Sequence, residues 1–242
     1  YNPQFKYYVR KNNNNNVLWE LSKLEKVSGV DKRISDFYIR LISDKKMSSE
    51  YLKHTGNNEM FSKYTKEYFG MPSYKLFTNA CLVLKGKING YNISEKIKGE
   101  RVLTSQEVKQ ALEGTLKELG LNDWVVKESI NIPKNGIRTA PKDKKISFDK
   151  NIERSKSLLK KSIIHEIGTH VLRSFNGSLS GVPALYNTNI RSYLEIEEGL
   201  AMYNEESMGV LSLDSLRHRA LMVYAVYVGE NMSFRTLYNV LR

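Results

Sequence analysis

Ile163 to Arg173 reads I-I-H-E-I-G-T-H-V-L-R and sets His165 and His170 five residues apart around Glu166. At about 100° per residue, a four-residue spacing returns side chains to within about 40° of each other, whereas five residues leave them about 140° apart. A regular helix therefore separates the two imidazoles. They share one face only if the helix absorbs an extra residue, as a single-turn π-bulge does, and such bulges favour functional sites. Gly168 lies between them, where a missing side chain eases distortion at a cost in helix stability. The stretch predicts a helix over about residues 152–172, with Leu158, Leu159, Ile163, Ile164, Ile167 and Val171 as its apolar set.

Two imidazoles flanking a glutamate are the ligand-and-base chemistry of a zinc hydrolase, whose familiar form is H-E-x-x-H. The plain alternative is an amphipathic helix with no metal, so a third ligand matters. Tyr193 to Glu206 reads Y-L-E-I-E-E-G-L-A-M-Y-N-E-E. Zinc peptidases with two histidines often take a glutamate from a following helix and leave the fourth position for water. Glu195, Glu197 and Glu198 are the candidates.

The acid-acid-Gly-Leu-Ala run resembles the third-ligand helix of gluzincins, in which the acid directly before glycine binds the metal. That analogy assigns Glu198, with Glu197 second. H-E-I-G-T-H-V-L-R, Phe175-Asn176-Gly177 and E-E-G-L-A together resemble the QEGLA-motif, tyrosine carboxypeptidase-like zinc metallopeptidase family. Its members carry H-E-x-x-x-H, and some animal members remove the C-terminal tyrosine of α-tubulin. Further likeness lies in Phe69-Gly70-Met71-Pro72, in Leu103 to Glu107 and in the Tyr224 to Phe234 region, so that it spans roughly residues 60–242. The first glutamate of E-E-G-L-A stands where the family name has glutamine, and Glu198 is unaffected.

The resemblance implies an α+β fold, mainly helical and zincin-like (gluzincin), with a small β-sheet beside the metal helix. It implies Zn2+ held by His165, His170 and Glu198, with Glu166 as general base of a metallocarboxypeptidase. The implied partner is a peptide or protein C-terminal tail, an acidic one such as tubulin's being one candidate. A carboxypeptidase needs a cation for the terminal carboxylate, preferably arginine for its bidentate fork. Arg173, Arg138 and Arg191 are the candidates by nearness in sequence, and Arg173 is equally suited to bracing the metal helix through an ion pair. The oxyanion donor stays open between Tyr193 and Tyr203. Family members continue beyond the position of Arg242, and the chain starts at Tyr1 rather than methionine, so a fragment or short form is expected.

The formal charge of the 242 residues is 38 − 26 = +12, a surface that attracts polyanions such as acidic polypeptides, nucleic acid or anionic lipid. The lysines are scattered, and no zinc finger or RNA-recognition signature is present, which argues against nucleic acid. Cys81 is the single cysteine, so an internal disulfide is excluded and a reducing, cytoplasmic setting is expected. No apolar run reaches membrane-spanning length. Two alternatives stand beside the carboxypeptidase: a zinc endopeptidase or amidase, and a basic non-catalytic module binding acidic protein or nucleic acid.

A hydrophobic content of 40% supports one catalytic domain over 1–242. Residues 1–16, ending in Asn12 to Asn16, read as a flexible arm. Residues 17–120 read as helical: two helices broken at Ser28-Gly29, one from Ser48 to Phe69, one from Ser73 to Lys85 holding a buried Cys81, and one over Gln106 to Leu119 capped by Thr104 or Ser105. From 121 the period shortens to two, and Trp124 to Ile132, Gly136 to Ala140 and Lys145 to Phe148 read as strands. The edge of that sheet offers a docking line for an extended substrate. Ser174 to Arg191 reads as a loop beside the metal. A helix carrying Glu197 and Glu198 follows, then a last helix over Leu213 to Val228. His54 and His218 are read as ordinary surface or core histidines.

Overall fold

Val108, Leu112 and Leu116 recur every four residues on helix α5 (Ser105–Glu118), and that stripe is 3% exposed or less. It packs on strands β3 (Val125–Ser129) and β5 (Lys145–Asp149) through Val126, Ile146 and Phe148, and on Leu159, Ile167 and Val171 of the site helix. Full burial of each such side chain contributes about 1.5–3 kcal/mol. The core of this unit thus forms between α5, a sheet and the helix that carries the two histidines.

The structure is a computed structural model that describes residues 15–27, 29–94, 99–182, 185 and 191–242. The expected arm over 1–16 lies outside the described residues as far as Asn14, and helix α1 (Asn15–Leu24) starts at once. The chain forms two compact units, residues 87–218 and residues 1–86 with 219–242. It is mixed α+β and mainly helical, with small sheets. No helix among the described residues is long and apolar enough to cross a membrane.

In the 87–218 unit the sheet order is β3-β5-β4, with β4 (Ile137–Ala140) antiparallel to the central β5 and β3 parallel to it. The register sets Thr139 opposite Ile146 and Arg138 opposite Ser147. Alternation then puts Ile137, Thr139, Ile146 and Val126 on the core face and Arg138, Ser147 and Lys127 on the other. A short antiparallel ladder pairs β2 (Val102–Leu103) with β6 (Arg154–Ser155), and a parallel one pairs β1 (Ile93–Ser94) with β7 (Leu211–Ser212). The first ladder brings together the starts of two helices. Thr104 and Glu107 close a capping box on α5, while the Ser155 hydroxyl accepts from Leu158 N–H at the head of α6 (Lys156–His165).

The site helix begins at Lys156 rather than Ile152, because Arg154 and Ser155 are spent on the ladder. It also continues past the expected loop start at Ser174, as α7 (Leu172–Leu179). Between α6 and α7, residues Glu166–Val171 are π-helical, as the five-residue spacing demands. Helix α8 (Arg191–Ser207) follows, and α9 (Leu213–Gly229) runs from this unit into the other.

The other unit holds α1, α2 (Lys32–Lys53), α3 (Asn58–Phe69), α4 (Tyr74–Leu84), the rest of α9 and α10 (Phe234–Leu241). The single helix expected from Ser48 to Phe69 is two. Gly56 takes φ +97°, which breaks the first, and Asn57 caps the second by accepting from Met60 N–H at 3.1 Å. Phe77 stacks on Tyr227 with ring centres 4.1 Å apart, and Tyr51 packs among Phe61, Tyr68 and Phe69. Cys81 is half-buried rather than buried.

Candidate functional site

Widening the turn at Glu166–Val171 returns His165 and His170 to one side, with ring centres 5.0 Å apart. The wider turn disturbs the carbonyl ladder, and Thr169 repairs part of it. Its hydroxyl, 1% exposed, donates to the Ile164 carbonyl at 3.3 Å and accepts from Asn204 Nδ2 at 2.9 Å. The second bond ties the π turn to α8. Gly168 proves less essential than its position suggested. A Cβ there would come no nearer than 3.9 Å to the Ile163 carbonyl, so its lack of a side chain relieves no clash.

Helix α8 presents Glu197, Glu198, Ala201 and Glu205 toward this turn, and the fully buried Ala201 is small enough for the backbones to approach closely. Glu205 Oε1 lies 2.7 Å from His165 Nδ1, and Glu197 Oε1 lies 2.9 Å from His170 Nδ1. A carboxylate only accepts, so each Nδ1 carries its hydrogen, and in the neutral ring the lone pair is then on Nε2. Both Nε2 atoms point to Glu198. His165 Nε2 is 3.6 Å from Oε2, and His170 Nε2 is 3.7 Å from Oε1.

The donor atoms of His165, His170 and Glu198 all lie within 4.8 Å of one another, the one such grouping among the described residues. Ligands about 2.0–2.2 Å from a shared tetrahedral zinc ion sit about 3.3–3.6 Å apart, so this set fits such a cation with small adjustment. Imidazoles whose far nitrogens donate to carboxylates are the usual support of metal ligands. Glu197, second among the ligand candidates, is one of those supports. Glu195 is exposed and stands apart from the group, as does His218, while His54 belongs to the other unit and stacks there on Tyr64.

The electrostatics follow from this packing. Burial works against a charged His170, but the Glu197 hydrogen bond and the charges of Glu166, Glu197 and Glu198 outweigh it and raise the pKa above the ordinary 6.5. Burial likewise opposes ionisation of Glu197, and the His170 contact with the Arg173 charge overcomes it, holding the carboxyl below its usual range. Tyr193 is pushed up by burial and by Glu197, so its phenol stays protonated.

Glu166, first residue of the π turn, reaches across to the sheet. Its Oε2 accepts from Thr139 N–H at 3.1 Å and from the Thr139 hydroxyl at 2.7 Å. Beneath, Arg154 is largely buried and donates to Ser162 Oγ, the Leu158 carbonyl and the Asn135 carbonyl, which fastens the helix to the turn before β4. Burial lowers its pKa, against the raising effect of the Glu166 charge.

His165, Glu166, His170 and Glu198 open into a cavity of about 690 Å³ bounded by β4, the Pro141–Asp143 turn and the start of α8. Of the three candidate arginines, Arg138 and Arg173 line it. Arg173 Nε donates to Glu197 Oε1 at 3.1 Å, Nη1 donates to the Leu185 carbonyl, and the guanidinium lies 4.7 Å from the centre of the Tyr193 ring. It braces Glu197 and through it His170. Arg138 is exposed and makes no ion pair among the described residues. The Arg191 side chain lies outside the described residues. Tyr193 lines the cavity, while Tyr203 is 65% exposed and does not.

Thr139, Arg154 and Glu205 escaped the sequence reading. Glu205 left a faint signal, lying seven residues after Glu198 and hence on nearly the same face of one helix. Thr139 and Arg154 left none, because their roles depend on how sheet and helix meet.

A family model described as microtubule-associated tyrosine carboxypeptidase matches residues 1–242, which extends the likeness over the first 59 residues, where motifs had shown none. No match is found among curated proteins or among solved structures.

Proposed function

The chain belongs to the microtubule-associated tyrosine carboxypeptidase family, and on that premise we propose that it is a zinc-dependent carboxypeptidase that removes a C-terminal residue, tyrosine among the candidates, from a protein tail. The observation that carries this reading is the convergence of His165, His170 and Glu198 beside Glu166. A zinc ion held by those three would polarise the scissile carbonyl and make water acidic enough to ionise near neutral pH.

The chain's own residues supply the rest. Glu166 takes the proton of the attacking water and delivers it to the leaving amine, a transfer worth about 10²–10⁴-fold when the carboxylate is well placed. Glu197 and Glu205 hold both imidazoles with Nε2 inward. The helix and sheet arrangement supports a gluzincin-like reading of the fold, in which strand β4 lies at the sheet edge along the cavity. An extended tail lying antiparallel to β4 would pair with the outward backbone groups that remain beside the Thr139 N–H, which Glu166 occupies. The basic net charge of +12 suits an acidic tail such as that of tubulin.

For the terminal carboxylate we favour Arg138 over Arg173. Arg173 is held by Glu197, and Lys145 by Asp143 at 3.6 Å, whereas Arg138 lines the cavity one residue from Thr139. The test is a pair of tyrosine-ended peptides, one with a free carboxylate and one amidated. The zinc-loaded protein should release tyrosine from the first only, and chelation should abolish it. Equal cleavage of both, or internal cleavage, would replace the carboxypeptidase reading with an amidase or endopeptidase.

A further inference from the structure

We propose that Thr139 is a positioning residue for the general base: it clamps Oε2 of Glu166 with two donors, so that Oε1 is the oxygen that exchanges the proton. The inference rests on the reading of Glu166 as base. Both Thr139 donors meet the same oxygen, the amide at 3.1 Å and the hydroxyl at 2.7 Å.

The strand pattern explains why that amide is available. On β4 the carbonyl of Gly136 accepts from Asp149 N–H at 3.0 Å, so Gly136 faces β5, and by antiparallel alternation Arg138 and Ala140 do too. Ile137 and Thr139 therefore turn their backbone groups away from the sheet. At most edges such an N–H meets water or a partner strand. Here it meets Glu166, and the side chain, projecting to the core face, adds its hydroxyl to the same oxygen. Glu166 sits on a widened turn, where its backbone alone would define its direction poorly, and the rigid sheet supplies the missing restraint. The arrangement also fixes the height of β4 over the two histidines.

The test compares Thr139→Val, which keeps the shape and the amide but removes the hydroxyl, with Thr139→Ser, which restores it. Misplacing a base by about 1 Å costs about 100-fold, so Thr139→Val should lose about 10–100-fold in kcat. KM should stay within about threefold, because the base does not bind substrate. Zinc content and melting temperature should match the parent protein, and Thr139→Ser should recover kcat to within about threefold of it. Undiminished kcat in Thr139→Val, a loss equal in Thr139→Ser, or a loss that follows zinc content or melting temperature would overturn the proposal. Glu166→Gln is measured alongside. If the parent protein releases a terminal residue and Glu166→Gln does not, the reading of Glu166 stands and Thr139 is judged by itself. If Glu166→Gln stays active, that reading falls and takes the clamp's catalytic role with it.

Discussion

Glu197 and Glu198 are neighbours in the chain with opposite duties, and exchanging each for glutamine should separate them. Glu198 faces Nε2 of both histidines, at 3.6 and 3.7 Å, so Glu198→Gln replaces an anionic donor with a weak neutral one. Glu197 is 4% exposed and its Oε1 is shared by His170 Nδ1 at 2.9 Å and Arg173 Nε at 3.1 Å. A glutamine there can still accept through its carbonyl, but its amide end meets the same cluster as a donor. Loss of a partner that orients a ligand typically costs about 10–100-fold in metal affinity, or about 1.4–2.8 kcal/mol. Glu197→Gln should fall in that range, and Glu198→Gln should lose more than about 100-fold. The assay is competition for zinc between metal-free protein and a chromophoric chelator. A larger loss for Glu197→Gln would refute the assignment and make Glu197 the ligand.

Further outcomes follow from the same geometry. Glu205→Gln keeps an acceptor for His165 but removes the charge that Lys161 approaches at 3.5 Å, and chelator competition should show zinc affinity lower by about tenfold. Because the pKa of His170 is raised in the metal-free protein while a ligand must be neutral, apparent zinc affinity should climb by up to about tenfold per pH unit below that pKa and flatten above it. In the same protein, protonated His170 adds stability that is complete below the unfolded value near 6.5 and is lost as pH rises through the folded pKa, so the melting temperature without zinc should fall across that window. Gly168→Ala meets only the Ile163 carbonyl at 3.9 Å, an ordinary contact, and should raise stability by about 0.5–1 kcal/mol in denaturant unfolding, where a melt below the parent's would show that the π turn needs glycine.

The legible parts of this protein are those written in local spacing. Five residues between His165 and His170 required a widened turn, and Glu166–Val171 has one. The two-residue period after Trp124 marked the three strands of the β3-β5-β4 sheet but not the two short ladders, and Thr104 with Glu107 marked a capped helix. Errors arose where composition spoke louder than neighbours. Ser174 to Leu179 is rich in Ser, Gly and Asn, yet it continues the site helix, because Phe175 packs on the core and Ser178 bonds back to the Phe175 carbonyl. Apolar periodicity ran from α2 into α3 and hid the break at Gly56. The start of the site helix depended on a ladder between residues some fifty positions apart. Within the site, the choice of Glu198 came from resemblance, since three acids in one helical stretch cannot be ranked by spacing. What ranks them is the tertiary placement of Nδ1 and Nε2 on either side of each ring.

The most direct test of the account is mass spectrometry of a varied peptide library after incubation with the zinc-loaded protein and with Glu166→Gln. The account predicts loss of one C-terminal residue from a subset of peptides, absent with the variant. Cleavage that persists in Glu166→Gln, or no cleavage by a protein that binds no zinc, would contradict it.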